Sequence, residues 1–327
     1  MDFSHISFYA LSALVNFFAS FFFGTFVYLQ DRKNPVGKSF ARFMWTIALW
    51  SILYAFFLQT QNVGYDTMMV ISHIIVAPAI FISITAFHFI THFLGKAKKY
   101  RKITSFGYVI FTLFALLSLF GSPLFIETVR PISVFDYWAK GGILFHPFMV
   151  LWAAYFIAFF ILLLTSYRES DRIKKAQIRY ILLGTIFGNL GGSSGWILFY
   201  DIPIIPPIIV LSFLVLAYGY AILKHHLFSI RMFAVEVLTF IIWILLLIKI
   251  IVGSQAGQFV IFDIAIFLSV VVIGSFLIRT GVRESRQREM LAELNAELDY
   301  LNKNLKEKVA EQTKEIRKAY EVEKEAR

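Results

Sequence analysis

The stretch from Met68 to Leu94, MMVISHIIVAPAIFISITAFHFITHFL, is 27 residues of mostly apolar character. A helix needs about 20 such residues to cross the hydrocarbon core of a bilayer. Working outward, eight further segments meet that requirement: Ile6 to Leu29, Phe40 to Leu58, Ile103 to Phe120, Gly142 to Thr165, Ile178 to Tyr200, Ile205 to Leu223, Val235 to Val252 and Phe259 to Ile278. The expected fold class is all-α, a polytopic membrane helix bundle of about nine spans. Composition agrees, because 58% hydrophobic and only 16% charged residues, with 37 Phe, is a balance no water-soluble globule keeps on its surface.

The net charge of +10 could mark a nucleic-acid partner, so the location of the excess decides its meaning. From Gly281 to Arg327 there are 11 basic and 11 acidic residues, which cancel. The excess lies in alternate loops of the membrane part. DRKNPVGKSFAR, GKAKKYRK, YRESDRIKKAQIR and KHHLFSIR together hold 16 Lys+Arg, whereas the opposite loops offer only Arg130 and Lys140, with Lys249 close to that face. By the positive-inside rule the basic loops are cytoplasmic, the N-terminus is outside and, after an odd number of spans, the C-terminus is inside. This is a topology signal and calls for no nucleic acid. Zero cysteines exclude disulfides, thiolate metal sites and cysteine nucleophiles. The opening MDFSHISFYA lacks the basic start of a secretory signal and reads as a retained first span.

After the ninth span the composition changes. LNAELDYLNKNLKEKVAEQTKEI, Leu294 to Ile316, is almost all charge, amide and leucine. Met290, Leu294, Leu298, Leu301, Leu305, Val309, Gln312, Ile316 and Tyr320 follow at steps of 4, 4, 3, 4, 4, 3, 4 and 4, an eleven-residue repeat. At about 3.67 residues per turn such a seam is nearly straight or weakly right-handed. A stripe this narrow does not stabilise a lone helix in water. A parallel homodimeric coiled coil is the simplest partner, with Met290, Leu294, Leu298, Leu301, Leu305, Val309, Ile316 and Tyr320 in its core. The plainer alternative is a solvated single helix with fortuitous leucines.

Seven histidines raise a haem or metal hypothesis. His73 and His146 fall near the outer ends of the third and fifth spans, at a matched depth that haem ligation from two helices needs. His88 and His92 share one face of the third span, with no histidine opposite them on another span and no carboxylate nearby. No cofactor and no metal are therefore expected. Lys249 and Asp263 lie near the outer ends of the eighth and ninth spans, across the turn GSQAG. Either they form an ion pair that fixes the hairpin register or each snorkels separately to the interface.

The long outside connection GSPLFIETVRPISVFDYWAKG, Gly121 to Gly141, is too polar to cross and too apolar to float free. It suits a lid over an outward-facing pocket with Trp50, Tyr54, His73, Trp138, His146, Trp196 and Tyr200 as walls. An interfacial aromatic belt would use the same residue types. There is no P-loop, GxSxG, HExxH or paired carboxylate on one helical face, so no catalytic centre is visible.

AQIRYILLGTIFGNLGG in the sixth span and LAYGYAILKHHLFSI after Pro206 and Pro207 resemble the N-terminal seven-helix sensory region of bacterial membrane histidine kinases. There a Gln-x-Arg opening, glycines in the sixth helix and a Tyr-Ala-Ile-Leu exit recur. The matching positions are Gln177, Arg179, Gly184, Gly188, Gly191, Gly192, Tyr220, Ala221, Ile222 and Leu223. Ser229 stands where the family often has Asp, and no role is carried to it. Nine spans with an external N-terminus also resemble quorum-sensing receptor kinases of the LuxN type, which implies a small amphiphilic ligand.

The resemblance implies a sensor of a two-component system in the bacterial cytoplasmic membrane, with a downstream kinase domain or response regulator as partner. The phosphoacceptor and ATP-binding parts would follow Arg327 in a longer chain or belong to a separate protein. The expected divisions are a sensor bundle at 1–223, a cytoplasmic joint at 224–234, a two-span hairpin at 235–278 and a coiled-coil linker at 279–327. Readings from other classes are a haem oxidoreductase or a transporter whose coil only oligomerises it, and a membrane scaffold that recruits a soluble partner.

Overall fold

The computed structural model describes residues 8–30, 32–60 and 63–207, with separate positions between 211 and 218 and between 268 and 316. The chain divides into two units, residues 1–271 and 272–327. Among the described residues of the first unit, six helices are long and apolar enough to cross a bilayer: Tyr9–Leu29, Pro35–Gln59, Tyr65–Phe93, Ala97–Leu119, Phe145–Glu169 and Arg172–Tyr200. The chain is a multi-pass membrane protein. These helices occupy the first six apolar segments of the sequence. The seventh is described only at isolated positions, and residues 219–267, with the eighth span, Lys249 and Asp263, lie outside the described residues, as does most of the ninth span.

Helix α1 (Phe8–Gln30) is joined to α2 (Pro35–Gln59) by a short basic turn. Asn34 caps α2, its Oδ1 accepting from the Val36 N–H at 2.9 Å, and Pro35 occupies the first turn, where its missing N–H has no partner to lose. The two helices meet closely at Gly24, where an added Cβ would lie 2.8 Å from Met44 Cβ. Asn16 Nδ2 donates to Ser51 Oγ at 2.5 Å and Trp45 Nε1 to Thr25 Oγ1 at 3.0 Å. In lipid, where apolar side chains gain nothing by leaving the solvent, close approach and cross-helix hydrogen bonds of this kind hold spans together.

The third crossing is broken. Helix α3 (Tyr65–Ile80) ends at Phe81 and α4 (Ile82–Phe93) follows directly. Pro78 has no N–H to offer the Ile74 carbonyl, which loosens the helix just before the break. Helices α5 (Ala97–Leu119), α6 (Phe145–Glu169) and α7 (Arg172–Gly192) complete the bundle, and the short α8 (Ser194–Ile197) and a 3-10 turn at Leu198–Tyr200 extend the last crossing. Asp171 caps α7 by accepting from the Lys174 N–H at 2.7 Å. On α5 the exposed stripe is Phe106, Val109, Leu113 and Leu116, and the buried one is Phe111, Phe114, Ala115 and Ser118. An outer face more apolar than the inner one is that of a helix solvated by hydrocarbon.

The connection between α5 and α6 corrects the all-α expectation. Ile126–Ile132 (β1) and Phe135–Gly141 (β2) pair as an antiparallel hairpin. The register shifts between Ile126 and Thr128 and again between Arg130 and Ile132, and Ser133 turns with φ 57°. Burial consequently falls on Ile126 and Val129, and on Phe135 and the adjacent pair Trp138 and Ala139, without the alternation of a regular strand. The described residues are mostly helical, with one hairpin closing an end of the bundle.

Arg130 fastens that closure. Its Nε donates to Asp201 Oδ1 at 2.6 Å, Nη2 to Leu198 O at 3.0 Å and Nη1 to Trp138 O at 3.3 Å. Tyr65 OH and Thr128 Oγ1 share a hydrogen bond of 2.8 Å, and Lys140 pairs with Glu127 at 3.2 Å. Asp201 is largely exposed, so the ion pair itself contributes little, and the bonds to the two carbonyls matter more. Arg130→Ala is expected to destabilise the hairpin by about 1–2 kcal/mol. Amide exchange should then accelerate in β1 and β2 while α2 and α5 keep their protection.

In the second unit, residues 297–309 form a continuous helix. Met290, Leu294, Leu298, Leu301, Leu305, Val309 and Ile316 are all exposed in the single chain. Tyr320 lies outside the described residues.

Candidate functional site

At the hairpin end of the bundle the first unit forms a partly open, mostly apolar cavity. Trp50 and Tyr54 reach it from the C-terminal half of α2, Ser72 and Ala79 from α3, Trp138 from β2 and Trp152 from α6. The wall on the α7 side is made by Gly188, Asn189, Gly192 and Trp196. The space exists because small residues sit opposite large ones: three glycines, Ala79 and Ala139 face four tryptophans. None of the described lining residues is charged.

The aromatic walls brace one another. The rings of Trp50 and Tyr54 stack at 5.1 Å, and Trp138 meets Tyr54 at 6.0 Å and Phe57 at 5.5 Å, edge to face in both cases. Trp152 meets Trp196 edge to face at 6.1 Å. Such offset and T-shaped pairs fix ring orientation beyond simple burial. Tyr54, Ser72, Trp138 and Trp152 are all at least nine-tenths buried, and among the described residues Tyr54 OH, Ser72 Oγ, Trp138 Nε1 and Trp152 Nε1 have no hydrogen-bond partner.

Of the seven pocket residues expected from the sequence, Trp50, Tyr54, Trp138 and Trp196 border this cavity, and His73, His146 and Tyr200 do not. His73 is buried, both ring nitrogens without a partner among the described residues, and its main-chain carbonyl accepts from Ser118 Oγ at 2.9 Å. His146 packs on Tyr200, their rings 5.5 Å apart. At the opposite, basic end, His88 Nδ1 lies 2.9 Å from Tyr108 OH and 3.5 Å from Arg42 Nη1. A guanidinium only donates, so Nδ1 accepts, and His88 Nε2–H is left to donate to His92 Nε2 at 3.1 Å. The groups that meet His88 from other spans are thus a guanidinium and a phenol.

Ser72, Trp152 and Asn189 were not singled out by sequence, and neither was the structural work of the glycines. A Cβ added at Gly184 would lie 2.8 Å from Ala217 Cβ, one at Gly188 would lie 2.2 Å from Leu214 Cδ1, and one at Gly191 would lie 2.7 Å from the Leu211 main-chain nitrogen. As the numbers rise along α7 they fall on the other side, so the two segments meet antiparallel with their backbones nearly touching. Tyr218, fully buried against Phe43 and Phe89, shares a hydrogen bond with Thr185 Oγ1 across the same seam. The signal was present as small residues at steps of four and three, a spacing that places them on one helical face. Gly188, Gly192, Leu211 and Leu214 belong both to this seam and to the cavity wall.

A family model, the N-terminal 7TM region of histidine kinase, matches residues 12–231 of the chain. Searches among curated proteins and among solved structures return no match.

Proposed function

The chain belongs to the family of N-terminal 7TM regions of histidine kinases, and from that premise we propose that it is the membrane sensor module of a two-component system. In this reading the state of the hairpin-end cavity passes along the glycine seam of α7 to a cytoplasmic coiled coil. The observation that carries it is the shared wall: Gly188, Gly192, Leu211 and Leu214 face the cavity and also form the contact between α7 and the segment after it. An occupant that fits one arrangement of that seam better than another shifts the balance between them, and a sensor requires such a difference in affinity.

The proposed topology has nine spans in the bacterial cytoplasmic membrane, with the hairpin end and the N-terminus outside and the basic loops inside, as the loop charges favour. Lys249 and Asp263 then register the last two spans against each other. The exposed apolar stripe from Met290 to Ile316 supports a parallel homodimeric coil, because an uncovered stripe of this length needs a partner. Phosphotransfer belongs to a kinase core on a longer chain or on a separate partner, and a response regulator receives it.

Because the chain has no cysteine, single cysteines placed in the tail report its packing without background. Oxidation in native membranes should link chains efficiently with cysteine at Leu294, Leu298, Leu301 or Leu305 and poorly at Glu297 or Asn304. Gly188→Leu, which fills cavity and seam together, should redistribute linking among the four core positions. A flat profile, or one indifferent to Gly188→Leu, would count against the reading.

A further inference from the structure

Four elements, α2, α3, β2 and α6, each bring to one cavity a residue whose buried polar atom has no partner among the described residues: Tyr54, Ser72, Trp138 and Trp152. Native folds leave few such groups, so four around one space define a chemistry. The indole N–H groups can only donate, and the two hydroxyls donate as well. What all four lack is an acceptor. Of the other polar side chains in the lining, Thr185 donates to Ile181 O at 2.7 Å and Asn189 Oδ1 accepts from Ser193 Oγ at 2.9 Å. Ile47, Ile75, Val76 and Phe156 are apolar, and no described side chain of the lining could balance a charge. An ion entering it would lose its hydration without a counter-ion.

We propose that the cavity binds an uncharged, largely apolar molecule that presents carbonyl oxygen to the donors of Tyr54, Trp138 and Trp152. The inference rests on the sensor reading for its biological consequence, and binding itself is measured apart from signalling. A free ester or ketone dissolved in the membrane and the acyl ester of a bilayer lipid share this chemistry.

The test uses the full chain in vesicles of ether-linked phosphatidylcholine, which has no ester carbonyl, titrated with methyl decanoate. Undecane and decanoate serve as comparisons. Four of the six tryptophans border the cavity, so indole fluorescence reports occupancy. Methyl decanoate should give a saturable change at a concentration about tenfold lower than undecane or decanoate requires. Tyr54→Phe and Trp138→Phe each remove a donor and keep an aromatic ring, and each should raise half-saturation by about 3- to 10-fold for the ester without moving it for undecane.

Repeating the titration in ester-linked phosphatidylcholine separates the two sources. An unchanged response assigns a free molecule, and a response lost there but present in ether-linked vesicles assigns a bilayer lipid. No saturable response in ether-linked vesicles, equal binding of undecane or decanoate, or half-saturation indifferent to both phenylalanine variants would overturn the proposal. Ester binding that leaves the tail cross-linking pattern unmoved would refute the sensor reading alone. A pattern that responds to Gly188→Leu without any ester binding would refute the ligand assignment alone.

Discussion

Gly191→Val is expected to lower the melting temperature of the detergent-purified protein by roughly 4–5 °C, the equivalent of about 3 kcal/mol of overpacking at an unfolding entropy of about 2.1 cal/mol/K per residue. A Cβ at this position would stand 2.7 Å from the main-chain nitrogen of Leu211 and 3.1 Å from the main-chain oxygen of Pro207. Backbone atoms cannot rotate aside as a side chain can, and Pro206 and Pro207 stiffen the segment that would have to retreat. The neighbouring glycine provides the contrast. A Cβ at Gly192 would meet only the Leu211 side chain, at 3.5 Å and beyond, so Gly192→Ala should leave the melting temperature within about 2 °C. Fluorescence-detected size exclusion after a heating series measures both. Equal melting of the two variants would mean that α7 and the following segment are not held in backbone contact at Gly191.

The seam and the spans were not equally legible in the sequence. The first six spans could be read because hydrocarbon thickness imposes a length, and a run such as Met68–Leu94 satisfies it whatever surrounds it. The break within that run at Phe81 was carried by Pro78 alone, a residue that a membrane helix tolerates either kinked or straight. The hairpin could not be read, because two register shifts and Pro131 remove the alternation by which strands are recognised. At the site, residue type and depth grouped Trp50, Tyr54, Trp138 and Trp196, since aromatic residues near one end of the bundle share a level. Depth does not give rotation about a helix axis. His73 therefore looked equivalent to Ser72, yet only Ser72 borders the cavity, and His146 turned toward Tyr200 while Trp152, further along α6, faces inward. The glycines of α7 carry the family resemblance in the sequence, whereas their physical role depends on the partner segment that only the fold supplies.

Inserting one residue after Asn302 is expected to abolish coupling through the tail, and inserting eleven is expected to preserve most of it. One residue turns everything downstream by about 100° relative to what precedes it. The seam positions of Leu305, Val309, Gln312 and Ile316 would then be taken by Asn304, Lys308, Glu311 and Glu315. In a parallel homodimer each of these would face its own copy, so lysine would oppose lysine and glutamate would oppose glutamate. Each large apolar side chain withdrawn from the seam forfeits about 1.5–3 kcal/mol of burial, and the like-charge contacts add to the loss. The coil should open below the insertion and stay closed above it. Eleven residues turn the helix by three full turns and only about 20° more, which leaves leucine opposite leucine. Cysteine at Leu298 should therefore cross-link in both variants, and cysteine at Val309 or Ile316 should cross-link only in the longer one. With a histidine-kinase core joined to the tail, phosphorylation should follow the cross-linking at Ile316. If both insertions leave the same output, the signal does not travel through the phase of this helix, and the seam of α7 must reach its partner by another route.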